Sequence, residues 1–171
     1  GRLSPGKGGR QAIWAMVKVV KVIPNGVLVI IGTPNNFTDE MIELAKTFGI
    51  EQNLIFTGWL SGDELRSAYY ASDLVITPSV CLDVFPTVNL EAMACRKPVI
   101  ATCFGGSKEI VLNGQTGYIV NPFNTEEMAN KIIGLFKNQD IAKKFGESGF
   151  ERIKSKFSLD KMLSDYLSFY E

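Results

Sequence analysis

Two carboxylates, Asp83 and Glu91, stand eight positions apart in the stretch T-P-S-V-C-L-D-V-F-P-T-V-N-L-E-A-M-A-C-R-K-P-V-I-A, residues 77–101. An ionised carboxylate accepts several hydrogen bonds and donates none, so this pair suits a ligand rich in hydroxyls. A second set of charges, Arg2 and Lys7, flanks the glycine-rich opening G-R-L-S-P-G-K-G-G. Two acids near free backbone N–H groups suit a ligand with hydroxyls to be held and a phosphate to be cradled, and a sugar nucleotide has both. Each feature taken singly has a plainer reading: a solvated turn acid, a helix-surface acid and a solvated basic pair in a loop.

The elements that must carry these residues are legible around them. Residues 74–77 form an apolar run closed by Pro78, which has no N–H for further pairing. Residues 88–94 are helix-friendly, and 98–101 form a second apolar run. The unit is strand, loop, short helix, strand. It puts Asp83 in the loop at the carboxyl end of a strand, where open α/β sheets bind ligands. A helix beginning near Thr87 would carry Glu91 just over one turn in, with its first N–H groups aimed at a phosphate.

The same alternation runs through the chain. The glycine-rich turn leads into an amphipathic helix with Ile13, Val17 and Val20 on one face. Strands are expected at 27–31 and 53–57, with a helix at 38–48 between them. Ser61 and Glu64 have capping-box spacing before a helix through Leu65, Ala68 and Tyr69. Trp59, in the loop before it, is expected to pack, as most tryptophans do. Glu109 is expected to cap local backbone. A last strand is expected at 117–120, after the turn at Asn113-Gly114. Helices follow at 125–137 and 141–154, and then an apolar stripe of Leu159, Met162, Leu163, Tyr166, Leu167 and Tyr170 reads as core. Strands alternating with helices predict an α/β, Rossmann-like parallel sheet with helices on both faces.

Composition narrows the function. A chain of 171 residues with 46% apolar content forms one domain and buries about 70% of its unfolded surface. Eighteen basic and eighteen acidic residues cancel, leaving no overall electrostatic footprint for nucleic acid. Apolar runs such as 27–31 are far short of a membrane span. Cys81, Cys95 and Cys103 lack C-x-x-C spacing and read as reduced, cytosolic thiols. The chain has no histidine, so an imidazole base or ligand is excluded within it, and without a D-x-D motif no Mg²⁺ site is evident.

The stretch resembles the signature of the family 4 retaining glycosyltransferases (glycosyl transferases group 1) of GT-B fold. Pro78-Ser79, Asp83, Phe85, Glu91-Ala92-Met93-Ala94-Cys95, 98–102, Gly105-Gly106 and Glu109 match that signature in order. Three positions depart from it. Asp83 replaces the usual glutamate, and Pro86 and Arg96 stand where glycine is common.

The resemblance implies a carboxyl-terminal, donor-binding half spanning residues 1–171, with an amino-terminal acceptor domain absent from this chain. The opening of the chain at Gly1, inside the G-R-L motif, likewise points to a longer protein. The resemblance implies Arg2, Lys7 and Asp83 as the catalytic set. It implies donor binding by Arg2, Lys7, Asp83, Phe85, Pro86, Thr87, Val88 and Glu91, with Arg2 and Lys7 on the diphosphate, Glu91 on the ribose and Asp83 on the transferred sugar. No metal or other cofactor is expected. The expected partners are a nucleotide-sugar donor, with GDP-mannose the best guess, and an acceptor sugar or lipid-linked glycan bound through the other half. The expected location is the cytoplasm, at the inner face of the membrane if the full enzyme associates peripherally. A non-catalytic nucleotide-sugar sensor and a sugar-nucleotide epimerase are the alternatives.

Overall fold

The computed structural model describes residues 2–170; Gly1, which opens the glycine-rich segment, and Glu171 lie outside the described residues. Two parallel strands come first, β1 (Leu28–Ile31) and β2 (Leu54–Gly58), paired Leu28 to Leu54 and Ile30 to Phe56, with a slip after Ile30. Three more, β3 (Val75–Thr77), β4 (Val99–Thr102) and β5 (Gly117–Val120), pair in parallel in the order β3-β4-β5. The expected sheet is therefore divided, by hydrogen bonding, into a two-stranded and a three-stranded part.

A common core joins the parts. Leu28 and Ile30 of β1, Leu54 and Phe56 of β2, Ile76, Ile100 and Val120 all border one apolar cluster. Helices α1 (Gly9–Val22), α2 (Asn36–Thr47), α6 (Thr125–Lys137) and α7 (Gln139–Lys156) supply the rest through Ile13, Met41, Met128, Leu135 and Phe145. The opposite face has its own cluster. Val75, Val99, Ala101 and Ile119 meet Tyr69 of α3 (Gly62–Ala71), Ala92 and Met93 of α4 (Thr87–Ala94), and Ile110 of α5 (Ser107–Ile110). Successive strand residues point to opposite faces, so Ile100 serves one cluster and its neighbours Val99 and Ala101 the other. All four residues of β4 are buried, as a middle strand covered on both faces requires.

Several expectations change at this level. The most buried stripe of α1 is Ile13, Met16 and Val19, while Val17 and Val20 lie at its margin. Ser61 precedes α3 but makes no side-chain cap bond, so that capping box does not form. One forms at α2 instead: the Phe37 N–H donates to Asn35 Oδ1 and the Asn35 N–H donates to Thr38 Oγ1, each at 3.0 Å. It starts α2 two residues before the predicted Thr38. Trp59 is 63% exposed and does not pack. Helix α8 (Leu159–Tyr170) buries none of its residues, so its stripe is not core. No helix among the described residues is long and apolar enough to cross a membrane. The three cysteines are unpaired.

Two features, one at each end, seat α4. Asn89 has no exposed surface, and its side chain bridges two elements. The Thr77 hydroxyl at the end of β3 donates to Asn89 Oδ1 at 2.8 Å, and Asn89 Nδ2 donates to Ser107 Oγ at 3.4 Å. At the other end of α4, Arg96 takes a φ of 55°, the left-handed region that explains why glycine is common there. Its guanidinium lies 3.8 Å from the Phe150 ring centroid and pairs with Glu147 at 3.0 Å, which offsets that strain. A Cβ on Gly146 would come within 2.1 Å of the Arg96 carbonyl oxygen, so α7 rests directly on this turn.

Asn89→Ala leaves the Thr77 and Ser107 hydroxyls without that bridge. It is expected to lower the unfolding free energy by about 1–3 kcal/mol, the cost of unsatisfied buried polar groups. Urea denaturation of the variant against the parent checks this, with an unchanged midpoint as the contrary result.

Candidate functional site

The loop that bears Asp83 is held from two sides by close backbone contacts. On one side is the 3-10 turn Pro5–Lys7. The Gly6 carbonyl accepts from the N–H of Val80 at 2.9 Å and of Cys81 at 3.3 Å. Gly8 follows with φ 77°, and a Cβ there would lie 1.9 Å from the Pro78 carbonyl oxygen. On the other side, Gly105 has φ 61° and a Cβ there would lie 2.1 Å from the Asp83 oxygen. The Gly106 N–H donates to the Asp83 carbonyl at 2.9 Å, and a Cβ on Gly106 would meet the Val84 oxygen at 1.9 Å. Any side chain at these glycines would push the walls apart.

Between these walls Lys7 and Asp83 meet. Lys7 Nζ lies 2.6 Å from Asp83 Oδ2, with the side chains 46% and 26% exposed. Residues 76 positions apart, predicted to serve different parts of one ligand, are direct partners. Arg2 is exposed and makes no ion pair among the described residues. The Phe85 ring sits 6.0 Å from that of Phe157, at 55°.

Pro86 is buried at the N-cap of α4 and supplies no side-chain acceptor. Thr87 and Val88 are exposed, and their N–H groups meet no acceptor among the described residues. An uncapped helix start with no acid in its first turn offers free donors and the positive end of the helix dipole to an anion. One turn in, Glu91 is half-buried, and the Tyr69 hydroxyl donates to its Oε2 at 2.7 Å. Burial, and next the Glu91 carboxylate at its hydroxyl, raise the Tyr69 pKa above its ordinary value, so the phenol stays a donor.

Other predicted or candidate positions do not join this group. The Glu109 side chain is exposed and caps nothing; its backbone carbonyl instead accepts from Arg152 Nη2 at 2.6 Å. Among the described residues no three His, Cys, Asp or Glu side chains converge as a metal site. A surface depression of about 540 Å³ lies over Tyr118, Asn124 and Lys131, and no residue of the 78–91 segment lines it. Loop contacts and free N–H groups point instead to the Asp83 loop and the start of α4.

A family model described as Glycosyl transferases group 1 matches residues 1–152. The chain belongs to that family. One relative is the N-acetyl-alpha-D-glucosaminyl L-malate synthase of Bacillus anthracis, 30% identical over 161 residues, which are 94% of this chain and 41% of that protein. The C-terminal domain of a glycosyl transferase group 1 family protein (LpcC) from Francisella tularensis superposes with a TM-score of 0.84 at 30% identity, over 93% of this chain and 84% of that one. Anabaena Alr3699/HepE in complex with UDP-glucose superposes at 0.88 with 25% identity, over 98% of this chain and 47% of that one. The chain thus spans about two-fifths of the length of the curated relative, 41%. Its α/β fold is that of the carboxyl-terminal half of a GT-B glycosyltransferase.

Two residues that pack around α4 were not singled out in the sequence. Tyr69 reads as one more member of an apolar helix face, although a buried tyrosine needs a partner for its hydroxyl. Asn89 sits between Val88 and Leu90 inside a short helix, where asparagine is a poor helix former and so signals a specific bond.

The Lys7–Asp83 pair is open to water, so its contribution to folding is small. A double-mutant cycle of Lys7→Ala and Asp83→Ala, read by urea unfolding, is expected to give a coupling of about 0.2–1 kcal/mol that shrinks in high salt. A coupling of about 3 kcal/mol would make the pair a structural strut of the kind found among buried pairs.

Proposed function

We propose that this chain is the donor-binding half of a retaining glycosyltransferase, with the acceptor domain in the remainder of a longer protein. The observation that carries the reading is the juxtaposition of Lys7 with Asp83 beside the uncapped start of α4. A nucleoside diphosphate sugar would lay its diphosphate against Lys7, Arg2 and the N–H groups of Thr87 and Val88. Phe85 and Pro86 would line the same approach. Its sugar hydroxyls would bond to Asp83 and its ribose to Glu91. The Lys7–Asp83 contact is weak enough for an anion to divide it.

When the bond from the sugar to the diphosphate breaks, the leaving diphosphate takes the electron pair and gains negative charge. Preorganised cations and helix N–H groups stabilise that charge in the transition state. This arrangement would substitute for a divalent metal, and no metal or other cofactor is part of the proposal. The similarity to a protein solved with UDP-glucose supports a UDP-sugar above the GDP-mannose expected at first. The acceptor, a sugar or lipid-linked glycan, would reach the donor from the other domain.

Calorimetric titrations of this chain with UDP, GDP, their sugars and the free nucleosides, each with and without chelator, test the reading. Arg2→Ala and Lys7→Ala are each expected to weaken the diphosphate by more than tenfold, about 1.4 kcal/mol, without changing nucleoside binding. Glu91→Gln is expected to weaken even the bare diphosphate, and Asp83→Asn the sugar nucleotide more than the diphosphate. Parent-like binding by all four variants, or binding that disappears with chelator, would sink the proposal.

A further inference from the structure

Glu91 has a partner that nothing in the motif assigns. Tyr69 belongs to α3, 22 positions before Glu91 in the chain, and its hydroxyl donates to Glu91 Oε2 at 2.7 Å. The tyrosine is only 9% exposed and shares the cluster of Ala92, Met93, Val99 and Ile110, so packing fixes where its hydroxyl can lie. The backbone around it is fixed as well. The Tyr69 carbonyl accepts from Ser72 Oγ at 2.8 Å and from the Ser72 N–H at 3.2 Å, which closes α3 at this residue. Glu91 is half-buried, and no hydrogen bond to its Oε1 is formed among the described residues.

A carboxylate held through one oxygen cannot spin about its last bond, so its other oxygen points in one direction before a ligand arrives. That ordering removes a rotamer cost from binding. The polarity of the contact is also fixed, because a carboxylate only accepts and the phenol must therefore donate.

We propose that Tyr69 is a positioning residue for donor recognition: by holding Glu91 Oε2 it presents Oε1 to the ribose hydroxyls and sets the discrimination between ribonucleotide and deoxyribonucleotide. The proposal rests on the assignment of Glu91 to the ribose made above. It adds that the selectivity of the site is built on a helix outside the signature stretch. Tyr69→Phe keeps the ring in the core and removes only the donor. Glu91 then stays half-buried but loses its orientation.

The experiment compares the better bound of UDP and GDP with its 2′,3′-dideoxy counterpart, on the parent, Tyr69→Phe, Glu91→Gln and the double variant. The parent is expected to prefer the ribonucleotide, and Tyr69→Phe to lose about five- to tenfold of that preference while binding the dideoxy nucleotide as the parent does. In the Glu91→Gln background, Tyr69→Phe is expected to remove nothing further from the preference. Rescue is built into the ligand pair, since a general loosening of the fold weakens both nucleotides alike and leaves their ratio unchanged.

An unchanged ratio in Tyr69→Phe, with the ratio lost in Glu91→Gln, overturns the role of Tyr69 and keeps that of Glu91. A parent that binds both nucleotides equally overturns both. Equal weakening of the two nucleotides by Tyr69→Phe marks a purely structural tyrosine and also overturns the proposal.

Discussion

The whole site depends on how closely separate backbone segments approach at three glycines. Gly8 lets the 5–8 turn touch the Pro78 carbonyl, and Gly105 and Gly106 let the next loop touch Asp83 and Val84. These contacts are shorter than any side chain permits, so the loop bearing Asp83 is gripped by main chain and not by adaptable side chains. Lys7 reaches Asp83 only because the turn is docked there, and α4 starts where it does because the loop delivers Pro86 to its N-cap. Asn89 then fixes α4 from beneath by joining Thr77 and Ser107. Catalytic groups on a loop gain precision when the loop itself has no room to move.

The parts of this arrangement that follow from local rules were legible in the sequence. The strands at 74–77, 98–101 and 117–120 read as short apolar runs because strands covered on both faces lose their alternation. The start of α4 at Thr87 followed from Pro86, whereas the direct contact of Lys7 with Asp83 did not follow from either motif. The bonds that span elements were not legible. Nothing local says that Tyr69 meets Glu91, or that the cap of α2 uses Asn35 and Thr38 while Ser61 caps nothing. Those pairings depend on how helices are set over the sheet. Arg96 shows the reverse case, a side chain that stacks on Phe150 well enough to hold a conformation glycine would adopt freely.

The apolar stripe of α8 marks the limit of reading burial from periodicity. A period of 3.6 residues correctly reports a helix with one apolar face, but says nothing about what covers that face. In this chain Leu159, Tyr166 and Leu167 are each more than 60% exposed. Trp59 carries the same lesson in a loop, because a general tendency of tryptophan toward burial does not decide a single position.

The central claim is that a nucleoside diphosphate lies across the start of α4 with its phosphates on the Thr87 and Val88 N–H groups. Backbone amide NMR of this chain during titration with UDP, and in parallel with GDP, tests it most directly. The account predicts that the largest shifts on binding fall at Thr87 and Val88 and in the turn at Gly6, Lys7 and Gly8, with smaller ones at Gly105 and Gly106. Shifts that leave Thr87 and Val88 unmoved and gather around Tyr118, Asn124 and Lys131 would contradict it.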